Sequence, residues 1–66
     1  MRIFVNSKET ETPDGATVQQ LIEQLGLGQK RVAVEVNAQL AAKSEWNSVV
    51  LKPGDRVEVV SFVGGG

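Results

Sequence analysis

The stretch TVQQLIEQLG, from Thr17 to Gly26, decides most of what this chain can become. Val18, Leu21, Ile22 and Leu25 fall at i, i+3, i+4 and i+7, which lines one side of a helix with apolar groups. Thr17 stands where its side chain can accept from the backbone N–H of Gln20 while Gln20 reaches back, a capping box. Gly26 supplies the left-handed position that commonly ends a helix. The stripe lasts only about two turns, too short for a helix that is stable alone in water. This helix has to lie on a sheet.

The flanking segments supply the strands. Arg2 to Asn6 alternate, with Ile3 and Val5 on one face and Arg2, Phe4 and Asn6 on the other. SKETET reads as a hairpin partner at a sheet edge, and Pro13-Asp14-Gly15 as a turn. Val32, Val34 and Val36 alternate with Ala33 and Glu35 in a third strand; Asn37-Ala38 follows as a turn, with a steric cost for Ala38 at positive φ. QLAAKSEW is the least legible segment, read as a short strand and a 3₁₀ turn that sets Trp46 against the core. A KPGD turn leads into a last strand, Arg56 to Val63, with Val57 and Val59 on the core side and Glu58, Val60 and Phe62 opposite. The expected fold class is α+β: a roll in which a mixed four- to five-stranded sheet is covered on one face by one main helix. The first and last strands form its central parallel pair.

Stability has to come from packing. The chain has 66 residues, no cysteine and no histidine, so a disulfide framework is ruled out and zinc sites lose their usual ligands. The hydrophobic content of 41% is enough for a folded domain. Seven basic and eight acidic residues are mixed along the chain without a basic block, which argues against nucleic acid as the main partner. The start MRIFVNSKE resembles neither a secretory signal nor an anchor, and no apolar run approaches a membrane span. A cytoplasmic location without a membrane partner is the expectation.

The same composition removes the common catalytic arrangements. Without His or Cys, no hydroxyl or thiol has the usual paired base. The carboxylates of Glu9 with Glu11, and of Asp55 with Glu58, read as solvated surface in a chain with no obvious cleft. Gly26 and Gly28 follow a helix, so they fit its C-terminus better than a phosphate loop. Trp46 reads as structural in preference to a stacking platform.

Two features remain. Phe4, Val60 and Phe62 point away from the helix-covered face and, on neighbouring central strands, form an exposed apolar patch suited to docking. The alternative is a strand register shifted by one residue, which would swap the faces. The second feature is the terminal Gly64-Gly65-Gly66, which extended spans at most about 10 Å. Such a tail threads a narrow channel and leaves the terminal carbonyl open to attack. A frayed end is the plain alternative.

The motifs T-V-x-x-L-I-x-x-L, V-N-A, S-E-W, P-G-D-R-V-E-V-V and F-V-G-G-G together resemble the ThiS-type sulfur carriers of thiamine biosynthesis, over the whole chain. The turn after Val36 departs from their frequent Asn–Gly, being Asn37-Ala38 here. The resemblance implies a ubiquitin-like β-grasp domain over residues 1–63 and a flexible glycine tail over 64–66. It implies a protein cosubstrate without catalytic residues or a bound cofactor. A ThiF-type adenylating enzyme would consume ATP to activate the Gly66 carboxylate, and a cysteine desulfurase or related protein would supply sulfur. The resulting thiocarboxylate would pass to a thiazole synthase of the ThiG type. Gly64 and Gly65 would give clearance, and Phe4, Val60 and Phe62 the docking surface. Carriers for molybdopterin or transfer-RNA thiolation, a ubiquitin-like modifier and a binding module with an inert tail are the other readings.

Overall fold

The computed structural model describes residues 1–62. Its elements are β1 (Arg2–Val5), β2 (Lys8–Glu11), α1 (Val18–Gln24), β3 (Val32–Val36), β4 (Gln39–Ala41), a 3₁₀ turn (Lys43–Glu45) and β5 (Arg56–Ser61). The five strands form one mixed sheet in the order β2-β1-β5-β3-β4. β1 and β5 are parallel at its centre, as the sequence led us to expect, and β2 and β4 are the edges. The roll is therefore five-stranded, with α1 across one face.

A helix of seven residues survives because its exposed amides are all answered. The Thr17 hydroxyl accepts from Gln20 N at 3.2 Å, and Gln20 Oε1 accepts from Thr17 N at 2.9 Å, completing the capping box. Val18 N donates to Val49 O at 3.0 Å and Gln19 N to Trp46 O at 3.1 Å. The chain between the 3₁₀ turn and β5 thus ties down the helix start. At the other end Leu25 is the C-cap and Gly26 takes φ 76°, the left-handed stop.

Val18, Leu21 and Ile22 of α1 pack with Ile3, Val34, Leu51 and Val57, all of them fully or almost fully buried. Each such side chain contributes roughly 1.5–3 kcal/mol by leaving water. Trp46 joins this core at 3% exposure, and its Nε1 donates to Ala41 O at 2.9 Å, so it is structural. Among the described residues no helix is long and apolar enough to cross a membrane.

Two strands are shorter than the sequence suggested. β1 stops at Val5 because Asn6 and Ser7 turn the chain at φ 49° and 70°. β5 stops at Ser61, which lies opposite Val32, the first residue of β3; one further bond, Phe62 N to Arg31 O at 2.9 Å, follows it.

Candidate functional site

The alternation along β5 sorts its side chains into two sets. Val57 is fully buried and Val59 half-buried against the helix side, whereas Val60 and Phe62 are 57% and 59% exposed. The expected faces are therefore correct, and a register shifted by one residue is excluded. Val60 lies opposite Ala33 of β3 on the outer face.

Phe4 shares that face but not the patch. Its neighbour across the parallel pair is Arg56, so Val60 lies four residues further along β5, roughly 13 Å away along the strand. Phe4 is half-buried and lines a shallow hollow with Ser7, Arg56 and Glu58. The single patch expected from Phe4, Val60 and Phe62 is thus corrected: Val60 and Phe62 form one apolar end, and Glu58 separates them from Phe4. Strand alternation reports which face a residue occupies, but says nothing about register between two parallel strands.

A residue that sequence reasoning missed lies on the same face. Leu40 of β4 is 72% exposed and sits opposite Glu35, which in turn faces Glu58 across β3 and β5. The alternation Gln39-Leu40-Ala41, with Ala41 turned into the core, was the available signal. The outer face therefore carries apolar groups on both sides of an opposed glutamate pair.

Two of the other carboxylates have partners. Glu9 pairs with Arg2 at 3.7 Å on the exposed hairpin. Asp55 closes the turn before β5: Lys52 N donates to its Oδ2 at 2.8 Å and Asn37 Nδ2 to its Oδ1 at 3.0 Å. No cluster of three or more metal-ligating side chains occurs among the described residues.

Two asparagines, read from the sequence only as a strand residue and a turn residue, grip β5 from either side. Arg56 N donates to Asn37 Oδ1 at 3.0 Å, and Val59 N donates to Asn6 Oδ1 at 2.8 Å. Gly64, Gly65 and Gly66, proposed from the sequence as the tail, lie outside the described residues, as does Val63. The last described residues are held in the sheet: Ser61 closes β5, and the Phe62 N–H donates to Arg31 O next to β3.

The sequence profile of the ThiS family matches residues 1–66. The chain belongs to the ThiS family. A thiazole synthase of Paramagnetospirillum magneticum is 36% identical over 66 residues, which is 100% of this chain and 20% of that protein. The sulfur carrier protein ThiS of Bacillus subtilis is 36% identical over 63 residues, covering 94% of this chain and 96% of that one. The crystal structure of a ThiS thiamine biosynthesis protein from Geobacter metallireducens matches with a TM-score of 0.85 at 30% identity, covering 100% of both chains. The ThiS family's ubiquitin-like β-grasp is the roll described above. The chain spans only 20% of the length of the two thiazole synthases it resembles.

Proposed function

We propose that this chain is a sulfur carrier of thiamine biosynthesis and that Gly66 bears the sulfur. The observation that carries the reading is membership of the ThiS family over residues 1–66, a span that takes in the three terminal glycines. The similarity to thiazole synthases supports an enzyme of that kind as the acceptor.

The chemistry explains why a carrier needs partners. A carboxylate resists nucleophiles because its own negative charge repels them. A ThiF-type enzyme removes that charge by joining the Gly66 carboxylate to the α-phosphorus of ATP, with pyrophosphate leaving. A sulfur nucleophile, fed from cysteine by a desulfurase or related protein, then displaces AMP, and the product is the Gly66 thiocarboxylate. The chain itself contributes the acyl group and the surface by which both enzymes hold it. Val60 and Phe62, next to the tail, supply the apolar part of that surface, with Phe4 further along the same face.

Intact-mass measurement tests this directly. After incubation with ATP, the adenylating enzyme and a sulfur source, the chain should gain one sulfur in place of one oxygen. A chain lacking Gly66 should stay unmodified while melting normally. Gain of a whole protein through Gly66 would instead identify a modifier, and sulfur uptake by the chain lacking Gly66 would place the carried sulfur elsewhere.

A further inference from the structure

Building on the carrier reading, we propose that the Asn6 side chain is a positioning residue: it holds the end of β5 in the sheet, so that the strand leading toward Gly66 is already ordered when a partner enzyme binds.

The geometry begins where β1 runs out. β1 and β5 pair at Phe4↔Arg56 and Val5↔Val57, and Asn6 N donates to Val57 O at 2.8 Å. At Asn6 the backbone turns away at φ 49°, so the strand that should flank Val59 is gone. The Asn6 carboxamide takes its place. Its Oδ1 accepts from Val59 N at 2.8 Å and its Nδ2 donates to Val59 O at 3.2 Å, across 53 positions of sequence. A carboxamide offers the same C=O and N–H pair as a peptide group, so the parallel ladder gains one more rung.

Among the described residues this rung is the last anchor the β1 side gives to β5. On the opposite edge β3 holds the strand as far as Ser61 and then Phe62. Without Asn6, the edge of β5 from Val59 onward would hang from β3 alone. A partner enzyme would then have to order that edge as it binds, and preorganised segments avoid this cost.

The molecule contains its own control. Asn37 occupies the same corner of an equivalent turn, with Asn37-Ala38 at φ 51° and 69° matching Asn6-Ser7 at 49° and 70°. Its side chain also bonds β5, but at Arg56, the strand's beginning. Loss of either brace weakens β5; only loss of Asn6 releases the end that leads to Gly66.

The experiment measures pyrophosphate release by a ThiF-type adenylating enzyme as the concentration of full-length carrier is varied. Asn6→Gly keeps the left-handed corner and deletes both side-chain bonds. Its KM should rise about tenfold, the cost of ordering one extra backbone residue on binding, with kcat unchanged. Asn37→Gly should leave KM near the wild-type value. Asn6→Asp, which keeps the acceptor for Val59 N, should fall between Asn6→Gly and wild type. Amide exchange at Val59 should accelerate in Asn6→Gly relative to the core amide of Val34, and should not do so in Asn37→Gly. An unchanged KM in Asn6→Gly, or an equal rise in both glycine variants, overturns the positioning role and leaves the carrier reading in place. Failure of the wild-type chain to support any turnover removes the carrier reading and the proposal with it.

Discussion

Four non-glycine residues of the described chain sit at positive φ, and they form two pairs: Asn6-Ser7 and Asn37-Ala38. A two-residue hairpin with both residues left-handed suits the right-handed twist of its strands. Asparagine tolerates that conformation better than most residues, and here each asparagine also bonds β5. Ala38 has no such return. It is exposed, and its Cβ pays for φ 69° with roughly 1–2 kcal/mol. Ala38→Gly removes that strain, offset in part by the greater freedom of glycine in the unfolded chain. The expected result is a gain of up to about 1 kcal/mol, measured by urea unfolding. A loss of stability would mean that the turn gains something from the Ala38 methyl group. The sequence showed that the turn was there and that Ala38 was ill-suited to it. The asparagine bonds were not legible, because asparagine is common in turns whatever its side chain does and these partners lie 19 and 53 positions away.

Among the elements, β5 combines the two demands placed on the chain. Its inward residue Val57 is fully buried, while Val60 and the following Phe62 are turned to solvent. Phe62 stays tethered through its backbone N–H to Arg31 O, so its ring can change without loosening the strand. Phe62→Asp should therefore shift folding stability by no more than about 0.5 kcal/mol. It should weaken binding to the adenylating enzyme by about tenfold or more, as loss of an aromatic anchor does. Thermal melts and a binding titration separate the two effects; a severe stability loss with unchanged binding would remove Phe62 from the docking surface. How far the sequence disclosed each element follows from what shapes it. The helix was legible because its caps and its apolar period lie within ten residues. The segment through Trp46 was only partly so, since the ring is placed by Ala41 O and by the helix start, not by a local period. The displacement of Phe4 from Val60 depends on strand register, which neither strand encodes by itself.

At the scale of the molecule, a small core supports a chain whose proposed chemistry takes place at one end. Ile3, Val18, Leu21, Ile22, Val34, Leu51 and Val57 are its largest fully buried side chains, and no cysteine is present to staple them. A domain of this length has a total stability of roughly 3–10 kcal/mol. Leu21 belongs to this cluster from the helix side, with 0% exposure. Leu21→Ala removes its contacts and leaves a cavity, at a cost of roughly 2–5 kcal/mol. It should therefore lower the melting temperature strongly and bring part of the population to the unfolded state at working temperature. Sulfur loading at Gly66 should fall in step with the folded fraction, although the residue lies far from the tail in sequence, and should recover on mild cooling. Circular dichroism melts run beside the intact-mass assay on the same samples test this. If largely unfolded Leu21→Ala were loaded at the wild-type rate, the partner would be reading the tail alone. The β-grasp would then not be the handle by which Gly66 is presented.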